Sequence, residues 1–333
     1  MIRILLVLLT LILPATAHAA CSGPSQFEAL APEQQAALRD RAHQVPFARG
    51  VLWQIERGGV RSYVVGTLHL PDPRHAATLD RLAPLMPKAD RLFLEMTTET
   101  EAAFMRDLTS DPSHYLMPAG TSLIEALGDE AWQGLLPHLK ARGVPPVMAA
   151  RYQPWFLGMT MSVSPCALRV LQSGQPGLDR LIERRALDLG LETRSLDSPE
   201  AMLATFSASP LDSQIDDLKQ AIGAGTIDAE DTAALIALYF AGETQLAWDF
   251  SAHTVLTTAQ RNGVSGMEGQ LQRLEQDLLT DRNRQWLEIL VAELRHAPAV
   301  VAVGALHLPG EQGLLAGLQR AGFTVERIEI RRD

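Results

Sequence analysis

Apolar, β-branched runs that predict strands lie near both ends of this chain. Val51–Leu68 contains two such runs joined at Arg57–Gly58–Gly59, whose glycines suit the tight turn of a hairpin. Arg91–Met96 predicts a third strand, and Ala299–Gly304 and Phe323–Ile330 predict two more with a helix between them. A hairpin favours antiparallel pairing, whereas a strand-helix-strand unit favours parallel pairing. The pattern therefore predicts a mixed sheet built from both chain ends.

The segment between these runs, at about residues 98–260, has the spacing of helices. Ser122–Glu125 matches a capping box, and Gly177–Leu178–Asp179 precedes a further helical stretch. One brief extended stretch, Thr193–Asp197, interrupts the pattern. The predicted fold class is mixed α/β: a single domain, residues 21–333, with a central mixed sheet and a large helical insertion.

A seven-residue phrase occurs twice, each time at the end of a predicted strand. Val65–Pro71 and Val303–Pro309 agree at six of seven positions. Each copy ends a β-branched run with a glycine and places a histidine three residues later, His69 in the first and His307 in the second. A glycine at a strand end lets the backbone turn or approach a ligand closely. The repeat predicts two histidines at one edge of the sheet.

A carboxylate joins the two imidazoles at this predicted edge, because Glu95 directly follows the apolar run Leu92–Leu94. His69, His307 and Glu95 are suitable ligands for a divalent metal ion and leave a coordination position open for water. These ligand types do not select among Mn, Co, Zn and Fe. Two roles are open for Glu95, as the third ligand or as the catalytic base that deprotonates the water.

Asp281–Arg282–Asn283 is predicted to open the helix before the second histidine motif, at the same edge of the sheet. Asn283 is a candidate for positioning a substrate or a water, and Arg282 for holding a substrate carboxylate or stabilising an oxyanion. Pro309–Gly313 is predicted to start a helix whose free backbone N–H groups suit an anion. A serine hydrolase is disfavoured because no serine lies in a Gly-x-Ser-x-Gly motif.

The first twenty residues have the features of a secretory signal. Arg3 supplies a positive start, Ile4–Leu13 an apolar stretch too short to span a bilayer, and Ala17–Ala19 a small-residue cleavage pattern. The mature protein is therefore expected to be periplasmic or secreted, with no integral membrane span. Its net charge of -10 becomes -11 without Arg3, since residues 1–20 contain no Asp or Glu, and this disfavours nucleic acid as a partner.

The chain has only two cysteines, Cys21 and Cys166. An oxidising compartment favours an intramolecular disulfide between them. The alternative is a lipid anchor on Cys21. It is less expected because His18 stands where a lipoprotein signal carries an aliphatic residue.

The chain resembles the TraB/GumN family, which includes the Tiki proteins, and more remotely the erythromycin esterase and ChaN-like proteins. The resemblance rests on Trp53 with the hairpin to His69, on Ala89–Glu95, Gly177–Asp179 and Asp281–Asn283, and on Val303–Gly310. It implies a mixed-sheet domain with a metal near both histidines and, for Tiki proteins, a metal-dependent peptidase favouring Mn or Co. The chain departs from the family at Leu196–Asp197–Ser198, where Leu-Glu-Thr is common, so no role is carried over to Asp197.

These observations predict a secreted or periplasmic metal-dependent hydrolase that acts on a peptide or small molecule. His69 and His307 would bind the ion, with Glu95, Arg282 and Asn283 assisting catalysis. One alternative is a non-catalytic envelope protein that binds metal, haem or peptide. Another is an accessory factor in polysaccharide assembly with a vestigial site.

Overall fold

The structure is a computed structural model that describes Cys21 and residues 25–207, 209–229 and 231–330. Within these residues one six-stranded sheet has the order β4-β3-β5-β2-β1-β6. The strands are β1 Leu52–Arg57, β2 Val60–Thr67, β3 Arg91–Leu94, β4 Glu192–Ser195, β5 Ala299–Gly304 and β6 Thr324–Arg327. Five of the six strands come from the two ends of the chain, which confirms the predicted mixed sheet and α/β class.

The antiparallel part of the sheet is the hairpin β1–β2 with β6 at its outer edge. Gly58 and Gly59 have φ values of 59° and 83°, so the turn needs two residues that tolerate positive φ. β6 pairs antiparallel with β1 and does not neighbour β5. In the predicted strand-helix-strand unit, β5 and β6 are therefore separated by β2 and β1.

The parallel part of the sheet consists of β2, β5, β3 and β4. β5 lies between β2 and β3 and pairs in parallel with both, while β4 extends this group in parallel at the edge. The carboxyl ends of four strands consequently lie along one edge of the sheet. In open sheets of this kind, ligand sites gather at that edge.

Helices cover both faces of the sheet. On one face Leu82, Leu178 and Ile182 pack against Tyr63 and Val65. On the other face a second apolar cluster joins the sheet to two helices near the carboxyl end. The helices of these layers are α3 His75–Leu82 and α10 Leu178–Asp188 on the first face, and α16 Asp281–Glu293 and α17 Leu314–Arg320 on the second.

Among the described residues three further apolar clusters lie away from the sheet: one inside the insertion, one where the amino-terminal helices meet it, and a small one around Ala224, Ala259 and Met267. The amino-terminal helices are α1 Gln26–Ala29 and α2 Pro32–Ala42. The remaining helices are α4 Thr98–Ser110, α5 Leu123–Leu127, α6 Asp129–Ala141, α7 Pro146–Ala149, α8 Pro154–Ser162, α9 Pro165–Leu171, α11 Pro199–Ser207, α12 Leu211–Gly223, α13 Thr232–Ala241, α14 Thr244–Arg261 and α15 Met267–Glu275. The insertion also contributes β4 and α10 to the sheet and its cover.

A disulfide joins Cys21 to Cys166, with a Cα–Cα distance of 5.7 Å across 145 residues. The predicted disulfide is thus confirmed, and in this form the sulfur of Cys21 is not available to carry a lipid. The predicted signal, residues 1–20, lies outside the described residues. No helix in the described part of the chain is long and apolar enough to cross a membrane.

Candidate functional site

The structure brings the three predicted metal ligands together at the carboxyl edge of the sheet. His69 follows β2 by two residues, Glu95 directly follows β3, and His307 ends a short 3₁₀ helix after β5. His69 Nε2 lies 3.9 Å from Glu95 Oε1. Because β5 separates β2 from β3, the acid after β3 reaches toward both histidine motifs.

The two motif glycines permit different close contacts. A Cβ on Gly304 would lie 3.0 Å from Glu95 Oε1 and 3.9 Å from His69 Nε2. The Gly304 backbone N–H donates a 2.6 Å hydrogen bond to the same carboxylate oxygen. A Cβ on Gly66 would instead lie 2.8 Å from the Leu308 side chain and 3.0 Å from the Ala305 backbone. The missing side chain at Gly304 therefore makes room for the Glu95 carboxylate. At Gly66 it makes room for Ala305 and Leu308 of the second motif.

His307 is buried, and its ring orientation is fixed by Asn283. The Asn283 amide nitrogen donates to the carbonyl oxygens of His307 and Gln312, so its Oδ1 must accept from His307 Nδ1, 2.8 Å away. Trp286 packs against the imidazole with ring centroids 4.4 Å apart. Burial lowers the pKa of His307 to about 4, although the charge of Glu95 opposes this. The ring is therefore neutral at pH 7, and its Nε2 lone pair accepts from Arg282 at 3.3 Å.

His69 has the opposite surroundings. Its side chain is 60 % exposed, and its Nδ1 lies 3.3 Å from Asp179 Oδ2. Partial desolvation lowers the pKa of His69, but the hydrogen bond to Asp179 and the charge of Glu95 outweigh this and raise it to about 9. Water screens part of that attraction because the ring is exposed. The imidazole is nevertheless expected to carry a proton at pH 7.

Gly177 allows α10 to approach His69 this closely. A Cβ at Gly177 would lie 2.2 Å from the His69 carbonyl oxygen, and the N–H of Leu178 donates to the Leu68 carbonyl at 3.0 Å. The next residue, Asp179, is thereby held against the imidazole. The Gly177–Leu178–Asp179 sequence was predicted only as a helix start, and its contact with the site was not predicted.

Arg282 lies at the centre of the site and is held by two carboxylates. One terminal nitrogen donates at 2.6 Å to both Glu95 Oε2 and Asp197 Oδ2, and the other lies 3.3 Å from His307 Nε2. Trp286 Nε1 donates to the other Asp197 oxygen at 2.8 Å, and the Arg282 guanidinium lies 4.6 Å from the Trp286 ring centroid. Asp197 is buried and belongs to this site. It follows β4 by two residues, but β4 has the polar sequence Glu-Thr-Arg-Ser, so the rule that selected Glu95, an acid directly after an apolar run, does not find it.

The helix carrying Arg282 and Asn283 begins at Asp281 as predicted, but no break separates it from the helical residues before it. Gln276–Thr280 forms a π-helical turn that runs directly into α16 from α15. Insertions of this kind often re-aim side chains at functional sites. The helix predicted to start within Pro309–Gly313 begins at Leu314, and its first turn is buried against the sheet.

A model described as the TraB/PrgY/gumN family matches residues 51–327 of the 333-residue chain. The chain belongs to the TraB/PrgY/gumN family. The matched span contains both histidine motifs and all the contacts described above. No curated protein and no solved structure matches the chain. The more remote relation to erythromycin esterase and ChaN-like proteins stays a prediction.

Glu95 is ionised in this TraB/PrgY/gumN site. Burial raises the pKa of Glu95, but the charges of His69 and Arg282 and the hydrogen bond from the Gly304 N–H outweigh it and lower the value to about 2. A carboxylate with so low a pKa is a weak proton acceptor at neutral pH. Of its two predicted roles, these surroundings favour a ligand or an electrostatic anchor over a base.

The side chains of His69, His307 and Glu95 are of the types that bind divalent metal ions. Their nitrogen and oxygen atoms are not arranged around one common position. Within the described ranges no three His, Cys, Asp or Glu side chains have the spacing of a metal site. Both imidazoles nonetheless have Nδ1 beside an oxygen, from Asp179 and from Asn283. Such outer hydrogen bonds are usual for histidine ligands and fix which nitrogen faces the ion. Arg282, which lies near His307 Nε2, is the group that would have to move aside.

A cavity of about 1070 Å³ adjoins this family site without enclosing it. Its lining includes Arg74, Tyr239 and Phe240, and the Arg74 guanidinium lies 4.0 Å from the Phe240 ring centroid. Tyr239 connects the cavity with the first motif, because its hydroxyl donates to the Gly66 carbonyl at 3.0 Å. None of the predicted site residues lines the cavity.

Proposed function

We propose that this protein is a metal-dependent hydrolase of the cell envelope or the secreted fraction, and that it cleaves an amide bond in a peptide. The observation that carries the proposal is the matched pair of imidazoles. Each has an oxygen acceptor beside Nδ1 and lies next to Glu95, the acid between the two motifs. Two histidines and a carboxylate are a common ligand set for a hydrolytic metal ion.

The charge balance of the cluster supports a divalent cation. The ionised groups are the carboxylates Glu95, Asp179 and Asp197, the guanidinium Arg282 and the imidazolium His69. Three carboxylates against two cations leave one negative charge. Loss of the His69 proton on metal binding would leave two, which a divalent ion neutralises. Arg180 also lies near Asp179 and pairs with Glu101 and Glu183, so this neighbouring group adds one further negative charge.

In this proposal His69, His307 and Glu95 hold the ion, and Asp179 and Asn283 orient the two imidazoles. When bound, the ion would supply a water whose pKa lies near neutrality, a nucleophile that needs no serine or cysteine. Arg282 stabilises the negative charge that develops on the carbonyl oxygen of the substrate. Asp197 and Trp286 position Arg282 for this role, since Asp197 accepts hydrogen bonds from the guanidinium and the Trp286 ring lies 4.6 Å from it.

The test is metal content in the mature protein, purified without chelators and measured by plasma mass spectrometry. About one Mn, Co, Zn or Fe ion per chain is expected, and His69→Ala and His307→Ala should each lose it. His114→Ala is the matched control, because His114 lies in the insertion and its ion pair is with Asp111, away from the site. The ion found would then be added in a peptide-library cleavage screen.

Two results would oppose the proposal. Equal metal content in all four proteins, or no metal after reconstitution, would exclude a metal site at His69 and His307. Metal lost in both variants without cleavage of any peptide would favour the non-catalytic binding role instead. Peptide is preferred as the substrate because of the resemblance to Tiki proteins, and the screen tests that preference directly.

A further inference from the structure

Three buried side-chain atoms behind His69 have no hydrogen-bond partner among the described residues. They are Thr67 Oγ1, His75 Nδ1 and Asp179 Oδ1. A buried polar atom without a partner loses its hydrogen bonds to water on folding and gains none, so each of the three calls for an explanation. None of these three atoms takes part in the proposed hydrolysis.

The three atoms lie on the same face of the sheet. Successive side chains of β2 alternate between faces, so Thr67 shares the face of Val65. His75 begins α3 and Asp179 lies in the first turn of α10, the two helices that cover this face. The charge of Asp179 also acts on His75 and on Tyr239, which lies between these helices.

The His75 ring has a defined tautomer. Its Nε2 lies 2.8 Å from the Leu70 carbonyl oxygen, which can only accept, so Nε2 carries the proton. Burial lowers the pKa of His75 and keeps the ring neutral. Nδ1 is therefore an acceptor. Tyr239 and Phe240 pack against the ring, with centroids 6.2 Å and 5.3 Å away, and fix its plane.

The other two atoms complete a simple pattern. Asp179 Oδ2 faces His69, so Oδ1 remains as a second acceptor. The Tyr239 hydroxyl cannot serve Oδ1, since it already donates to the Gly66 carbonyl. The Thr67 hydroxyl is the remaining group and can donate once. The region thus presents two acceptors and one donor.

We propose that Thr67, His75 and Asp179 bind a buried water molecule behind His69. A water donates two hydrogen bonds and accepts at least one, and buried waters typically make about three. This water would donate to His75 Nδ1 and Asp179 Oδ1 and accept from Thr67 Oγ1. It holds the Asp179 carboxylate in the rotation that aims Oδ2 at His69. Thr67 and His75 are therefore positioning residues, and only this last step rests on the proposed function.

Thr67→Val tests the water site because valine keeps the shape of threonine and removes the hydroxyl. If the water is bound, the variant loses one of its three contacts, and the Tm of the metal-free protein should fall by about 2–4 °C. Thr67→Ser keeps the hydroxyl and should restore the Tm in part. If no water contacts the Thr67 hydroxyl, removing this unpaired buried group should leave the Tm unchanged or raise it. This result would overturn the proposal.

A high-resolution crystal structure of the wild-type protein gives an independent readout. Density for one water within hydrogen-bond distance of all three atoms is expected, and ¹⁵N NMR should find the His75 proton on Nε2. Empty density, or the anomalous signal of a metal ion at this position, would contradict the water. Thr67→Val should also weaken metal binding at His69 about tenfold, with partial rescue by Thr67→Ser. A wild-type protein that binds no metal would exclude the proposed function but would not contradict the water site.

Discussion

The first and second histidine motifs share six of seven residues, yet their imidazoles have opposite properties. His69 is exposed, faces a carboxylate and has a raised pKa. His307 is buried, faces a carboxamide and has a lowered pKa. The motif places each ring at a strand end, whereas its surroundings decide its protonation: the Asp179 carboxylate favours the proton on His69, and burial disfavours one on His307. A repeated motif thus specifies position more than chemistry.

The largest change should come from Glu95, the group that the two motifs share. Glu95→Gln removes the negative charge next to both imidazoles and one of the two carboxylates that hold Arg282. We expect kcat/KM on a peptide found in the screen to fall about 10²–10⁴-fold. Glu192→Gln is the control, because Glu192 is an exposed acid at the amino end of β4, whereas the site lies at the carboxyl ends of the strands. A Glu95→Gln enzyme within about threefold of wild type would exclude a central role for this carboxylate.

The next largest effect should separate the two motifs by their outer hydrogen bonds. Asn283→Ala removes the acceptor of His307 Nδ1 and should weaken metal binding about 10–100-fold. Asp179→Ala should weaken it less, since His69 is exposed and water can replace the lost oxygen. Titration calorimetry with the ion identified by mass spectrometry measures both. Equal losses would mean that burial does not distinguish the motifs.

A smaller effect should appear in the pH dependence of the metal-free protein. The pKa of His307 falls from 6.5 to about 4 on folding, so its contribution to stability is complete above pH 6.5 and is lost as the pH falls through 4. The pKa of His69 rises from 6.5 to about 9, so its contribution is complete below pH 6.5 and is lost as the pH rises through 9.

Thermal denaturation from pH 4 to pH 9 can assign these two limbs. His307→Gln should flatten the acid limb alone, and His69→Gln should flatten the alkaline limb alone. The alkaline change should be the weaker of the two because the solvent screens His69. If both variants altered the same limb, the assignment of opposite protonation states would be wrong.

The smallest effect concerns the proton on His69. Asp179→Asn replaces the carboxylate beside Nδ1 by a neutral amide and should lower the pKa of His69 toward its ordinary value. NMR titration of the imidazole measures the shift, and the pKa of His307 should stay low in the same sample. A His69 pKa that does not change would mean that Glu95 alone sustains it.

The fold was largely predictable because its signals are local. Apolar runs predicted β1, β2, β3 and β5, and the glycine pair predicted the turn between β1 and β2. The position of β5 between β2 and β3 depends on pairing over about two hundred residues, which no local pattern specifies.

The candidate site was predictable in part for the same reason. His69, Glu95 and His307 each follow an apolar run directly, and the structure places them together. Asp197 was set aside because the related sequences favour Glu there, and the contacts of Asp179 depend on how α10 packs. Asp281–Asn283 looked like a helix start, but a π-helical turn, which has no clear sequence signal, continues the helix through it.

Strand β5 lies in the middle of the sheet but is synthesised near the end of the chain, since Gly304 follows its partner Glu95 by 209 residues. A polypeptide that emerges amino end first carries β2 and β3 before the strand that joins them exists. Until then, both strands have unpaired edges that can pair with other chains. The arrival of β5 closes these edges and brings Gly304 and His307 to Glu95. The order of synthesis therefore makes assembly of the site one of the last events in the folding of the sheet.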